Sequence, residues 1–173
     1  MNFYDIVSET CQFDEQFAKR LGFKRIFTLN KDIRAVGHGN ENDKDLSRSI
    51  AFGKDANQLL ALVKHGAPAV AITDSYIDRK LMEAIKDNGC VLVLPISVMT
   101  ASWGVERSRN IYRMAKLYRY AVKKEIKTTF ASMAKSPQYM NSYMQLIELA
   151  KLLGADDKYA RHSLSETTKT IAD

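Results

Sequence analysis

The chain has 173 residues, of which 46% are hydrophobic, enough to bury a sizeable core and too many for a disordered tail. No run of about 18 apolar residues occurs, which excludes a hydrophobic membrane-spanning helix. Lysine and arginine outnumber aspartate and glutamate by 26 to 20, a net charge of +6, which is compatible with nucleic acid or an anionic surface and selects neither.

Residues 1–9 carry Asp5 and Glu9 and no basic cluster, so the start does not read as a secretory signal. Residues 2–8, with Phe3, Tyr4, Ile6 and Val7, predict a strand. Residues 13–21 predict a short helix that Gly22 ends. Residues 24–29 predict a second strand. Residues 30–48 hold Gly37, Gly39 and several asparagines and charges with almost no periodic apolar signal, and are expected to form a long surface loop. Residues 49–53 predict a strand, and Asp55 an N-cap for a helix over 56–65. Residues 69–73 predict a strand, Asp78 caps a helix over 79–88, and residues 91–96 predict a strand. The longest helix is expected over 105–125, a sixth strand over 128–133, and a helix over 141–153 that Gly154 stops. The tail, residues 157–173, is polar and weakly helical. Cys11 and Cys90 have no neighbour at metal-ligand spacing and read as reduced thiols of a cytoplasmic protein.

The central strands are continuous apolar runs, as expected for strands covered on both faces in a parallel sheet. Alternating strands and helices imply right-handed parallel crossovers in one α/β domain over residues 1–173. With six strands in a chain far below the about 250 residues of a complete barrel, the expected architecture is a shortened or distorted TIM-like (β/α) barrel. A doubly wound open sheet has the same periodicity.

Residues 105–127 concentrate basic side chains: Arg107, Arg109, Arg113, Lys116, Arg119, Lys123, Lys124 and Lys127, against Glu106 and Glu125 alone. At about 100° per residue, Arg109, Arg113, Lys116, Tyr120, Lys123 and Lys127 fall on one stripe, with Ile111, Met114, Ala115, Tyr118, Ala121 and Val122 opposite. The second stripe is the face for the sheet. The first lacks the acids that would pair with it at i±4, and like charges at that spacing repel by a few tenths of a kcal/mol. A solvated lysine-rich face explains it structurally; contact with phosphates explains it functionally. No base-reading motif is present, so such contact would be to the backbone.

Other candidates are weaker. His38, His65 and His162 are far apart and no His-x-His pair occurs, so a metallophosphoesterase-type cluster lacks its ligands. Thr73, Asp74, Ser97, Ser132 and Lys135 are expected at strand C-termini, where barrel enzymes do chemistry; Asp74 would be a general base and Lys135 an anion ligand, whereas Asp74 and Ser75 as a turn start is the structural reading. Trp103 before the basic helix reads as a packing anchor, with base stacking as its functional alternative. Met140, Met144 and Leu149 read as core filling or a partner surface.

Several features occur together in order: residues 49–53 followed by Asn57-Gln-Leu-Leu-Ala and Lys64-His-Gly-Ala-Pro-Ala-Val; Ile77-Asp-Arg-Lys-Leu, then Val91-Leu-Val-Leu-Pro-Ile-Ser; Glu106-Arg107 opening the long helix; Thr128-Thr-Phe-Ala-Ser-Met-Ala; and Leu152-Leu-Gly154 followed by Ala160 and Leu164-Ser165. In this order and spacing residues 53–173 resemble ribonuclease P protein component 3, the archaeal counterpart of the eukaryotic thirty-kilodalton subunit.

The resemblance implies a barrel-like fold related to the polymerase-and-histidinol-phosphatase metallohydrolases, without their metal cluster. It implies a non-catalytic subunit of an endonuclease complex, acting in the cytoplasm on tRNA 5′-end maturation. Its implied partners are the ribonuclease P RNA, precursor tRNA and the small ferredoxin-like ribonuclease P protein (component 2), with no membrane involved. The implied cofactor is none in the protein, the magnesium belonging to the RNA that cleaves the phosphodiester. The sequence departs from the family pattern in places. The family's Asp-His pair reads Asp78-Arg79, the preceding arginine-bearing segment is shortened, and the arginine–proline stretch is only echoed by Ser136-Pro137. RNA contacts at those positions are not transferred. Arg107 and Arg79 keep positive charge at comparable points, so the RNA-binding candidates are Arg79, Arg107, Arg109, Arg113, Lys116, Arg119 and Lys123. A small barrel enzyme acting on an anionic metabolite, and a protein-binding module using residues 140–153, are the alternatives.

Overall fold

The computed structural model describes residues 1–37, 46–53, 55–73 and 77–172. Seven strands are described: β1 (Tyr4–Val7), β2 (Arg25–Thr28), β3 (Arg34–Val36), β4 (Ser49–Gly53), β5 (Ala69–Ile72), β6 (Val91–Pro95) and β7 (Thr128–Ala131). The helices are α1 (Glu15–Arg20), α2 (Ala56–Lys64), α3 (Arg79–Asp87), α4 (Ser97–Thr100), α5 (Gly104–Lys123), α6 (Tyr143–Leu152), α7 (Asp157–His162) and α8 (Thr168–Ala172). All strand pairs are parallel.

Local chemistry fixes the helix starts. Asp55 and Asp78 accept from Asn57 N–H and Leu81 N–H at 2.9 and 2.8 Å, each satisfying one orphan donor of a helix N-terminus. Ser142 and Gln145 form a reciprocal capping box on α6. Gly22 ends α1 at φ +84°, where a Cβ would also overlap the Tyr143 ring. That ring stacks on Phe3 at 4.4 Å, so the glycine lets α1, β1 and α6 meet.

The strands form two sheets, β1-β2 and β3-β4-β5-β6-β7. They touch at two seams. Met133 N–H donates to Ile6 O at 2.9 Å and Ser8 N–H to Ala134 O at 3.0 Å, while in the turn between β2 and β3 one isolated bridge, Leu29 to Ile33, lies just outside both strands. There the ladder gives way to side chains: Asp32 Oδ2 accepts from Thr28 N–H at 2.8 Å and Asn30 Oδ1 from Ala35 N–H at 2.9 Å. The expected barrel is thus not a closed sheet among the described residues; turn side chains take the donors that would have zipped β2 to β3.

Continuous apolar strands serve two cores. Ala69 and Ala71 of β5, and Val91 and Val93 of β6, join Tyr4, Ile6, Phe27 and Ile50 on an inner face. Val70, Ile72, Leu92 and Leu94 turn the other way, into the core shared with the helices. Alternating side-chain direction explains why neither face could be polar.

Three expectations need correction. The loop over 30–48 contains β3, whose short run carries too little apolar pattern to show in the sequence. α4 was not foreseen either. The polar tail is a packed element: a π-helical turn, Ser163–Thr167, joins α7 to α8. Ser163, Leu164, Ser165, Thr168 and Ile171 are all buried, and Ile171 enters the inner core. Its hydroxyls are satisfied internally. Thr129 Oγ1 donates to Ser163 O at 2.9 Å and lies 2.7 Å from Thr168 Oγ1.

Candidate nucleic-acid interface

α5 leaves the C-terminal end of β6 after the α4 corner and returns along the outside of the sheet. It seats on Met114, Leu117, Tyr118 and Ala121, which are buried. Tyr118 packs its ring against Phe130 of β7 at 5.5 Å and Tyr159 of α7 at 6.0 Å; burial, with the charges of Tyr159 and Asp156, pushes its phenol up to about 12. This apolar footing fixes which side of the helix faces out.

On the outward side lie Arg109, Arg113, Lys116, Arg119 and Lys123, all exposed. They occupy an arc of about 120° over about 21 Å of helix, from the 100° and 1.5 Å per residue of an α-helix. Glu106 is the one acid in α5, and no arc residue forms an ion pair with a described acid. Arg119 Nε donates to Ala115 O at 3.2 Å. Arg107 is exposed in the first turn, on the core-side angle but above the edge of the footing. Arg79 is exposed at the first position of α3. α5 therefore carries six of the seven candidates, five of them on one arc; Arg107, off that arc, and Arg79 on α3 sit nearer the strand C-terminal end of the fold.

The expected stripe is right in direction and wrong at its margins. α5 ends at Lys123, and Lys127 lies in the approach to β7. Tyr120 is half-buried, with Lys124 Nζ 6.0 Å over its ring. Val122 is 49% exposed rather than core, and Leu117 takes the buried place. Trp103 is no packing anchor, being 78% exposed. Met140 is buried, Leu149 packs on the core, and Met144 is 62% exposed.

Among the described residues the strand-end candidates form no reactive site. Asp74, Ser75 and His38 lie outside the described residues. Thr73 Oγ1 donates to Gly53 O at 3.3 Å, and Ser97 N–H to Ser132 O at 3.0 Å. Lys135 gives its carbonyl to Thr10 Oγ1 at 2.9 Å. Ser132 is buried and holds Asp5, a carboxylate that the sequence reading did not single out. Ser132 Oγ–H and N–H donate to Asp5 at 2.5 and 2.7 Å, and Ile6 N–H adds a bond at 2.8 Å. Burial pushes the Asp5 carboxyl up to about 6, against the lowering pull of these bonds. Asp5 has no exposed surface, so it ties β1 to β7 and has no access to a substrate. His65 Nδ1 lies 2.8 Å from Ala61 O at the end of α2, and His162 ends α7. Among the described residues no group of three or more histidine, cysteine, aspartate or glutamate side chains is arranged to hold a metal ion.

Two clefts, of about 620 and 830 Å³, avoid the arc. The smaller touches Pro68, Val91 and Lys127, the N-terminal ends of three strands, opposite the end where open α/β sheets bind ligands.

No family model matches the chain, and no curated protein matches it. Solved structures do. A chain in the cryo-EM structure of archaeal ribonuclease P with mature tRNA aligns over 100% of this chain and 81% of its own, with a TM-score of 0.70 and 14% identity. The ochratoxinase of A. niger aligns over 72% of this chain at a TM-score of 0.56 and 16% identity. A Xaa-Pro dipeptidase with bound methionine aligns over 71% at 0.54 and 15%. The chain spans about a third of each hydrolase, 30% and 33% respectively. At these identities the likeness is one of fold.

Proposed function

We propose that this chain is a protein subunit of ribonuclease P, binding the catalytic RNA and supporting 5′-end maturation of precursor tRNA. The observation that carries the reading is the basic arc of α5, unpaired among the described residues, set on a fold that matches a ribonuclease P chain over all of this chain and 81% of that one. Five cations on one rigid face, with no acid paired to them among the described residues, suit the regularly spaced phosphates of an RNA backbone; releasing counterions from that backbone supplies the binding free energy. Arg107 and Arg79 extend the same positive surface toward the strand C-terminal end. The two parallel sheets, joined at sparse seams, are read as a distorted (β/α) barrel that has kept its scaffold without a metal-binding cluster. In this reading the RNA and its magnesium ions break the phosphodiester, the small ferredoxin-like subunit is the protein partner, and the complex works in the cytoplasm. No described helix is long and apolar enough to cross a membrane.

The test is the salt dependence of RNA binding. Changing Arg109, Arg113, Lys116 and Lys123 together to glutamine should weaken binding to ribonuclease P RNA at least tenfold. It should also make the slope of log affinity against log salt shallower by about 3, at roughly 0.7–0.9 per lost phosphate contact. All four side chains are exposed, so the denaturant midpoint should stay in place or rise slightly as like-charge repulsion is relieved. Unchanged affinity and slope would remove α5 from the interface.

A further inference from the structure

We propose that the cleft along the open edge of β2 is a second RNA-binding site, which takes a single-stranded segment through phosphate contacts to Lys19, Lys24 and Lys31. The inference rests on the RNA-binding reading above and adds a place, and a kind of RNA segment, that the α5 arc does not provide.

The cleft has a volume of about 830 Å³ and is lined by all four residues of β2, Arg25–Thr28, together with Lys24, Lys31 and Lys19 of α1. Successive side chains of a strand point to opposite faces. Here Ile26 belongs to the core under the helices and Phe27 to the inner core. A space that touches both must run along an edge of the strand. One edge is taken by β1, so the cleft runs along the other. There the described ladder stops, its one bridge, Leu29 to Ile33, lying beyond the end of β2. The cleft is the opening where the barrel fails to close among the described residues.

Its charge is one-sided. Five basic and three acidic side chains line it, and the acids are engaged. Asp32 is held by Arg25 at 2.7 Å and by Thr28 N–H at 2.8 Å. Glu9 accepts from Asn30 Nδ2 at 2.5 Å. Glu15 sits in the first turn of α1, the end of a helix that favours an acid. Lys19, Lys24 and Lys31 are exposed and form no ion pair or side-chain hydrogen bond with a described residue. They reach the cleft from three places: the last turn of α1, the residue before β2 and the turn after it. Lysines scattered over a surface need no partner. Three that share one cleft give it a positive potential, which its low-dielectric walls focus.

Two occupants suit an open strand edge with this charge, an acidic peptide strand and a phosphate chain. Strand addition draws its affinity from a run of main-chain hydrogen bonds. β2 has few to give. It is four residues long, and alternate residues of a ladder face a given neighbour. Thr28 already commits both of its groups to the turn, its N–H to Asp32 Oδ2 at 2.8 Å and its O to Asp32 N–H at 2.8 Å. The lysines remain, and a phosphate chain matches them directly, by charge-assisted hydrogen bonds and counterion release. A positively charged groove that tracks the backbone is how single strands are bound without reading their sequence. A duplex carries its phosphates around a wide cylinder and meets only the rim of such a cleft, whereas the convex α5 arc is open to either form. The cleft therefore selects a locally unpaired strand.

The probes are an oligouridylate, which stays single-stranded, a blunt-ended hairpin RNA, and an oligoglutamate of the same net charge as the oligouridylate. Binding is followed by anisotropy of a dye on each. Changing Lys19, Lys24 and Lys31 together to glutamine should weaken oligouridylate binding at least about tenfold and make its salt slope shallower by about 2, at roughly 0.7 per phosphate contact of a single strand. Affinity for the hairpin, held by α5, should change less than about twofold, its phosphate contacts being elsewhere. All three side chains are exposed, so the denaturant midpoint should match that of the wild type. Equal losses on the two RNAs, or no loss on either, would overturn the cleft and leave the α5 arc standing. If the wild-type chain binds neither RNA, both readings fall. Oligoglutamate that binds more tightly than oligouridylate, and is lost in the same variant, would give the cleft to an acidic protein segment and sink the proposal.

Discussion

Asp5 and Ser132 show how single side chains join the two sheets. Both Asp5 oxygens are engaged, by Ser132 and by Ile6 N–H, and the carboxyl is pushed up to about 6 by burial. Its unfolded value is near 3.9, so the folded chain holds this proton more tightly. The resulting stabilisation is complete below about pH 4 and is lost as pH rises through about 6. Two pKa units correspond to about 3 kcal/mol. Asp5→Asn keeps a similar shape and does not titrate, so relative to the wild type it should gain about that much stability between pH 4 and pH 7. Urea unfolding of both proteins at the two pH values measures this; a constant difference would mean that Asp5 does not change protonation there. Asp5→Ala, by contrast, strands the buried Ser132 and Ile6 donors and should destabilise at every pH, by about 1–3 kcal/mol per orphaned group. Nothing near Asp5 in the sequence signals this role, because its partner is 127 residues away.

At the scale of elements, the C-terminal segment and α5 behave in opposite ways. Ile171 of α8 is 1% exposed and completes the inner core, so Ile171→Ala should cost about 2–5 kcal/mol, as for other buried isoleucines. A shift in the denaturant midpoint within about 0.5 kcal/mol, as for a surface position, would return the segment to the status of a loose tail. The segment reads as polar because Ser163, Ser165 and Thr168 are buried with hydroxyls bonded to the chain, and hydrophobic periodicity does not register a satisfied hydroxyl. β5 and β6 were legible for the complementary reason: both of their faces meet apolar cores, so every position is apolar. β3 was not, since its three residues, Arg34–Val36, sit in a polar stretch and are set by pairing with β4. The basic arc was legible because helical spacing alone places Arg109, Arg113, Lys116 and Lys123 together. The exposure of Trp103 and Val122 depends on where the sheet ends beneath the helix, which spacing does not contain.

For the whole molecule, the same parallel α/β scaffold is shared with two hydrolases over part of their length and with a ribonuclease P chain along all of this one. The strand-end residues are engaged in structural bonds where they are described, while the outward charge is concentrated on one helix. That distribution supports the proposed contact of the outer surface with a larger polyanion. The direct measurement is reconstitution of precursor-tRNA cleavage from the ribonuclease P RNA and its small ferredoxin-like partner, with and without this protein, at limiting magnesium. Addition of the wild-type chain should raise the cleavage rate at least tenfold, and the glutamine variant at Arg109, Arg113, Lys116 and Lys123 should lose most of that gain. A rate that does not respond to the wild-type protein would contradict the account.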